Sequence, residues 1–138
     1  MKLGRDCLIT ILVASALPMP GGEVAAPTLA KIIRIVASGN GGKAACEDAE
    51  VSAELGKLGV LIDPEAKVVW AIADKDVARF AKLSKLVICG QVGQLGQGAS
   101  IAIVAEGGRP VIYLSPANAT SSKANLPDAL LKIGKVVK

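Results

Sequence analysis

From Pro27 onward, short apolar runs alternate with segments of helical period, and this alternation restricts the folds open to the chain. "KAAC" (Lys43 to Cys46), "VLI" (Val60 to Ile62), "KVVWAI" (Lys67 to Ile72) and "KLVIC" (Lys85 to Cys89) read as strands. The last is almost wholly apolar, as expected of a strand covered on both faces. A first helix should begin at Pro27, a residue favoured at the opening helical position. Leu29, Ile32, Ile33 and Val36 then follow the i, i+3, i+4, i+7 pattern, and "SGNGG" (Ser38 to Gly42) stops it. "EDAEVSAELGKLG" reads as a second helix with an acidic start that suits the helix dipole, closed by Gly59. "DKDVARFAKLS" reads as a third, with Asp74 or Asp76 as its cap.

The C-terminal third changes character. "SIAIVAE" and "PVIYLSP" are two further strands joined by Gly107-Gly108, a hairpin signal. "SPANATSSKAN" reads as a polar loop, and its Asn118-Ala119-Thr120 also matches the glycosylation pattern. "LPDALLKIGKVVK" reads as one closing helix, with Leu126, Leu130, Ile133 and Val137 on a single face and Gly134 marking close packing. These elements predict an α/β fold, a single three-layer sandwich. Its sheet would be mostly parallel, of about five strands, with an antiparallel C-terminal strand pair and helices on both faces.

The N-terminus stands apart. A short basic start carrying Lys2 and Arg5 precedes "CLITILVASALP" (Cys7 to Pro18), an uncharged and mostly apolar run. A membrane-spanning helix needs roughly 20 apolar residues, and Pro18, Pro20 and Gly21-Gly22 end this run early. It reads as a signal peptide, with an uncleaved anchor or a buried strand as the alternatives. Residues 1–26 are therefore expected to be a leader and 27–138 the domain, exported to the periplasm. Candidate processing points lie after Ala16 or within "GGEVAA", since Pro27 disfavours a cut directly after Ala26.

Two features of composition remove mechanisms. The chain has no histidine, which excludes a Ser-His-Asp triad, a histidine general base and a His-ligated metal. Beyond the leader only Cys46 and Cys89 carry thiols, without a CxxC pattern, so a structural zinc site lacks ligands. No catalytic residue, metal or cofactor is expected. The formal net charge is +4, but the lysines and arginines are scattered, and Trp70, Phe80 and Tyr113 are the only aromatic residues. Nucleic-acid binders combine basic clusters with stacking aromatics or a known motif, so no nucleic-acid partner is expected.

The glycines at 90, 93, 96 and 98 invite a nucleotide reading. A dinucleotide fold requires G-x-G-x-x-G and an acid about 20 residues on. A P-loop requires a lysine after its last glycine. Neither is present, and no basic residue lies between Lys85 and Arg109. "QVGQLGQG" is expected instead to form one irregular helical turn with Val92 and Leu95 inward. A small-molecule or nucleotide site at Gly90–Gly98 is the alternative.

Cys46 and Cys89 each end a candidate strand, and parallel strands place such ends along one rim. A disulfide between them is one reading, favoured by an oxidising compartment. It requires neighbouring strands or a loop that carries one thiol across, because the Cα atoms must come within about 4.4–6.8 Å. Two small buried hydrophobes is the other. The acids Glu47, Asp48, Glu50, Asp74 and Asp76 all sit where helices begin, where capping accounts for them. Trp70 suits a core strand, and Arg109 a solvated turn.

The segment "KLVICGQVGQLGQGASIAIVAEGGRPVIYLSPANATSSKANLPDALLKIGKVVK" resembles the closing half of the YfiR-like family of exported bacterial proteins. The likeness lies in the "SIAIV" strand, the "GRPVIYL" strand and the "LLKIGK" helix, and "APTLAKIIRIV" is similar to the family's first helix. It implies a periplasmic α/β domain without catalytic activity. It also implies protein–protein contact with an inner-membrane signalling protein such as a diguanylate cyclase, under redox control that only Cys46 and Cys89 could carry. Homodimer formation is left open.

Overall fold

The computed structural model describes residues 24–137. The leader expected over residues 1–26 lies outside them except for its last three positions. Val24 and Ala26 already pack against the core, so the folded unit begins before the expected boundary at Pro27.

Helix α1 (Ala26–Ser38) carries Pro27 in its first turn and buries Leu29, Ile32, Ile33 and Val36, the stripe that the sequence pattern marks. Strand β1 (Lys43–Cys46) follows, then α2 (Ala49–Lys57), capped by Asp48. The short strand β2 (Leu61–Ile62) precedes β3 (Val68–Trp70), α3 (Asp74–Lys82) and β4 (Leu86–Cys89). The glycine-rich segment forms a 3-10 helix over Val92–Gln97. Strands β5 (Ile101–Glu106) and β6 (Arg109–Leu114) make the expected hairpin. Gly107 and Gly108 both have positive φ, +59° and +78°, as a two-residue hairpin turn of primed type requires.

The sheet has seven strands in the order β2-β1-β3-β4-β5-β6-β7, parallel throughout except for the β5–β6 pair. The count exceeds the expected five or so: the edge strand β2 falls in the "VLI" run read as a strand, whereas the strand at the other edge was not foreseen. The edge strand β7 (Lys135–Val136) comes from the segment read as a closing helix. Helix α5 (Asp128–Ile133) stops at Gly134, whose ψ of 152° is extended. A Cβ there would lie 2.6 Å from Leu114 Cδ1 and 2.8 Å from the Leu130 carbonyl, so only glycine lets the chain turn onto the sheet this closely. The expected polar loop is also structured. Helix α4 (Pro116–Ser121) has Pro116 in its first turn, and the Ser115 hydroxyl accepts from the Asn118 amide.

Helices cover both faces. Helices α1 and α2 and Leu130 of α5 pack on Ala44, Val68, Trp70, Leu86, Ile88, Ile101, Ile103, Ile112 and Leu114. The opposite face, with Ala45, Val69, Val87, Cys89 and Ala102, receives Val77 of α3 and Leu95 of the 3-10 segment. Larger side chains sit under α1 and α2, while alanines let α3 and the 3-10 helix approach the other face closely. Each fully buried leucine or isoleucine contributes about 1.5–3 kcal/mol, so the α1 side carries more of the apolar stabilisation.

Candidate functional site

The strand order sets where a site can form. From β1 the chain passes through α2 to β2 on one side, then returns to β3 on the other and continues outward. Helices α2 and α3 thus leave neighbouring strands toward opposite faces, which opens a crevice at the carboxyl ends of β1 and β3. A cleft of about 270 Å³ lies there. Cys46, Glu47 and Asp48 line it from the end of β1, Trp70 from β3, Ile72 from the segment just after it, and Asp76 and Phe80 from α3.

Each wall is held locally. The Asp48 carboxylate accepts from the Glu50 and Val51 amides at 3.0 and 3.2 Å, capping α2. The Cys46 thiol donates to the Asp48 carbonyl at 3.5 Å, and the Ser52 hydroxyl donates to the Cys46 carbonyl at 3.1 Å. On the α3 side, the Arg79 guanidinium meets Asp76 at 3.2 Å and lies 4.2 Å above the Phe80 ring. Trp70 is 9% exposed, and its indole Nε1–H has no acceptor among the described residues. Exposed Ile72 completes the lining. The cleft therefore gathers one thiol, three carboxylates and two aromatic rings.

Of the two readings left open for the cysteines, the disulfide is not formed: Cys46 and Cys89 are free. In register, Cys46 lies beside Trp70, and Trp70 beside Ile88. Strand β3 therefore separates the two cysteine strands, a span of about 10 Å at ordinary strand spacing. The residues also point apart, Cys46 packing toward α1 and α2 and Cys89 toward α3. Cys89 is wholly buried, and that burial pushes its thiol up to about 11, opposed by its bond to the Gln91 carbonyl. Redox control through an internal bridge has no geometric support in this arrangement.

The glycine loop is a connector. Its amides at Gln94, Gly98 and Ala99 donate to the carbonyls of Gln91, Leu95 and Gln94. Leu95 points inward as expected, but Val92 is exposed, and Gln94 takes the second buried position. The Gln94 side-chain amide donates to the Ile72 carbonyl and to Asp74, both at 2.8 Å. Asp74 is therefore a partner of Gln94, while the N-cap position of α3 is Ala73 without a side-chain bond. Asn118 donates to the carbonyls of Leu95 and Ala99, both at 2.8 Å, clamping α4 to the same connector. Arg109 is exposed at the hairpin turn, as expected.

Sequence reasoning treated Trp70, Asp48, Asp76 and Cys46 singly and missed that they share one cleft. The available signal was the strand order. Among the described residues, no group of three or more histidine, cysteine, aspartate and glutamate side chains is arranged to hold a metal ion. No helix among them is long and apolar enough to cross a membrane.

No family model and no curated protein matches the chain. Among solved structures, it is similar to a conserved domain protein from Vibrio cholerae O1 biovar eltor, with a TM-score of 0.61 at 11% sequence identity. The match covers 82% of this chain and 60% of that one, so this chain spans less than two thirds of the neighbour's length. The likeness establishes the fold: a single α/β domain with a mostly parallel sheet, an antiparallel hairpin and helices on both faces.

Proposed function

We propose that this chain is a non-enzymatic regulatory domain of the YfiR-like kind, exported to the periplasm. It acts by protein–protein contact on a membrane-bound signalling protein such as a diguanylate cyclase. The observation that carries the reading is the exposed apolar surface around the β7 edge. Within residues 131–136, Leu131, Ile133 and Val136 are 46%, 66% and 55% exposed. Beyond β7 no further strand continues the sheet among the described residues, so its outer backbone groups are available to a partner's strand. Covering apolar surface of this kind is favourable by about 25 cal/mol per Å². The absence of histidine from the sequence favours recognition over acid–base chemistry.

The test co-expresses the chain with a cyclase that has a periplasm-facing sensor region and measures cyclic di-GMP. The parent chain should lower the level, and an Ile133→Asp, Val136→Asp double variant that still folds should not. Cell fractionation checks the compartment. Equal cyclic di-GMP with and without the parent chain overturns the proposal.

A further inference from the structure

We infer that the rim formed by the starts of β1, β3 and β4 docks on an anionic phospholipid surface. This rim lies at the opposite end of the sheet from the cleft. The inference goes beyond the regulatory reading, since it concerns a different surface and needs no protein partner.

The first observation is a row of lysines that only the fold assembles. Register pairs Ala44 with Val68, and Val68 with Leu86. One position earlier on these three adjacent strands stand Lys43, Lys67 and Lys85. Neighbouring strands lie about 4.8 Å apart, and like charges side by side on them disfavour the fold. Helix dipoles account for Lys57 and Lys82 in the last turns of α2 and α3. They do not account for three lysines at the heads of strands.

The second observation is how the row is held. The Lys67 ammonium donates to the Ser84 carbonyl at 2.7 Å, and the Lys85 ammonium donates to the Glu65 carbonyl at 3.0 Å. A carbonyl is a neutral acceptor, and each ammonium has two further N–H donors to offer. Two acids share the rim: Asp63, 3.5 Å from Lys43, and exposed Glu65. Exposed Lys82 joins Lys43, Lys67 and Lys85 to make four cations against these two, while Lys57 is paired with Glu54. The acids that begin α2 and α3 lie at the far end of the sheet. An anionic surface therefore attracts the lysine rim and repels the opposite one, which fixes the orientation with the cleft facing away.

The third observation is apolar. Leu61, beside Lys43 in register on the edge strand β2, is 64% exposed. Leu83, which follows Lys82 at the end of α3, is 59% exposed two residues before Lys85. The lysine row thus has an exposed leucine near each of its ends. At a membrane surface the ammonium groups attract anionic headgroups while apolar side chains enter the boundary beneath them. A soluble phosphate compound would call for the cations without the leucines. That difference favours lipid.

The test sediments the full chain with vesicles of phosphatidylcholine alone, or of phosphatidylcholine mixed with phosphatidylglycerol. Residues 1–23 are common to every variant, so differences between variants report on the rim. The parent should prefer the mixed vesicles, and the preference should vanish at about 1 M salt, where the Debye length is about 3 Å. The triple variant Lys43→Gln, Lys67→Gln, Lys85→Gln should bind the mixed vesicles about tenfold more weakly. Lys31→Gln, Lys75→Gln, Lys132→Gln removes the same charge from other surfaces and should bind like the parent. The double variant Lys82→Gln, Leu83→Ser alters two exposed side chains that make no hydrogen bond or ion pair among the described residues. It keeps the test decisive if the first triple fails to fold, and it should also bind more weakly. Equal binding to both vesicle types, equal losses in the two lysine triples, or parent-like binding by the double variant overturns the inference. Binding of soluble tripolyphosphate without a preference for mixed vesicles would assign the row to a free phosphate compound. Salt-sensitive self-association without vesicle binding would assign it to the acidic end of a second copy. Either outcome also overturns the inference.

Discussion

A Cβ placed on Gly98 would lie 2.4 Å from the Cβ of Ala81, and the φ of Gly98 is +115°. Helix α3 and the connector after β4 therefore touch through a position that has neither the space nor the backbone conformation for a side chain. Gly93 and Gly96 differ: a Cβ there meets nothing within 4 Å, and neither has positive φ. Gly98→Ala should cost about 2–4 kcal/mol, whereas Gly93→Ala and Gly96→Ala should stay within about 1 kcal/mol of the parent. Urea denaturation midpoints for the three variants check this. Equal losses at all three would mean that the loop serves something other than packing.

The two strand-end cysteines should differ in reactivity. Cys46 is half-buried at the cleft, and Cys89 is fully enclosed with its thiol pushed up to about 11. Alkylation of the folded, unreduced chain followed by peptide mapping should label Cys46 and leave Cys89 unlabelled until denaturant is added. A peptide containing both residues joined by a disulfide would contradict the sheet order.

Tyr113 donates a 2.5 Å hydrogen bond to Glu106, and that bond, with desolvation and the carboxylate charge, raises the phenol above its ordinary value of 10.0. A raised phenol stabilises the fold while it is protonated. The contribution is present below the unfolded value and is lost as pH rises through the folded one. Tyr113 is the only tyrosine, so tyrosinate absorbance gives an unmixed titration. The midpoint should lie above 10.0 in the parent and fall toward it in Glu106→Gln.

Asn118 bridges two carbonyls of the connector, Leu95 and Ala99. Asn118→Ala strips both acceptors of their donor and should cost about 1–3 kcal/mol, read as a lower melting temperature. For the same reason a glycan on Asn118 would require the clamp to open. A glycosylated chain that melts like the bare one would rule the clamp out.

The alternation of apolar runs and helical periods made α1, α2, β1, β4 and the hairpin legible, because each depends on its own residues. The C-terminus was harder to read. The apolar spacing of "LPDALLKIGKVVK" continues through Gly134, but beyond it Lys135 and Val136 pair with Tyr113 and Leu114 of β6, a strand that the segment itself does not encode. Helix α4 did carry a local signature, a serine cap followed by proline, that the polar composition masked. The cysteine pairing turned on strand order: both strand ends were visible, but that β3 lies between them was not. The cleft was hidden for the same reason. Trp70 and Cys46 become neighbours only through the β1–β3 register, which no single segment encodes.

One long-range contact also bears on the order in which the domain is completed as it folds. Asn40, just past α1, donates its side-chain amide to the Asn125 carbonyl and accepts the Asn125 amide, across a sequence separation of 85. Helix α1 and the first four strands can assemble from the first 89 residues alone, but this reciprocal clasp must wait until Asn125 docks. Until then the loop between α1 and β1 is held only by local bonds, Asn40 to the Val36 carbonyl and Gly42 to the Ala37 carbonyl, so the clasp is what ties the two ends of the domain together.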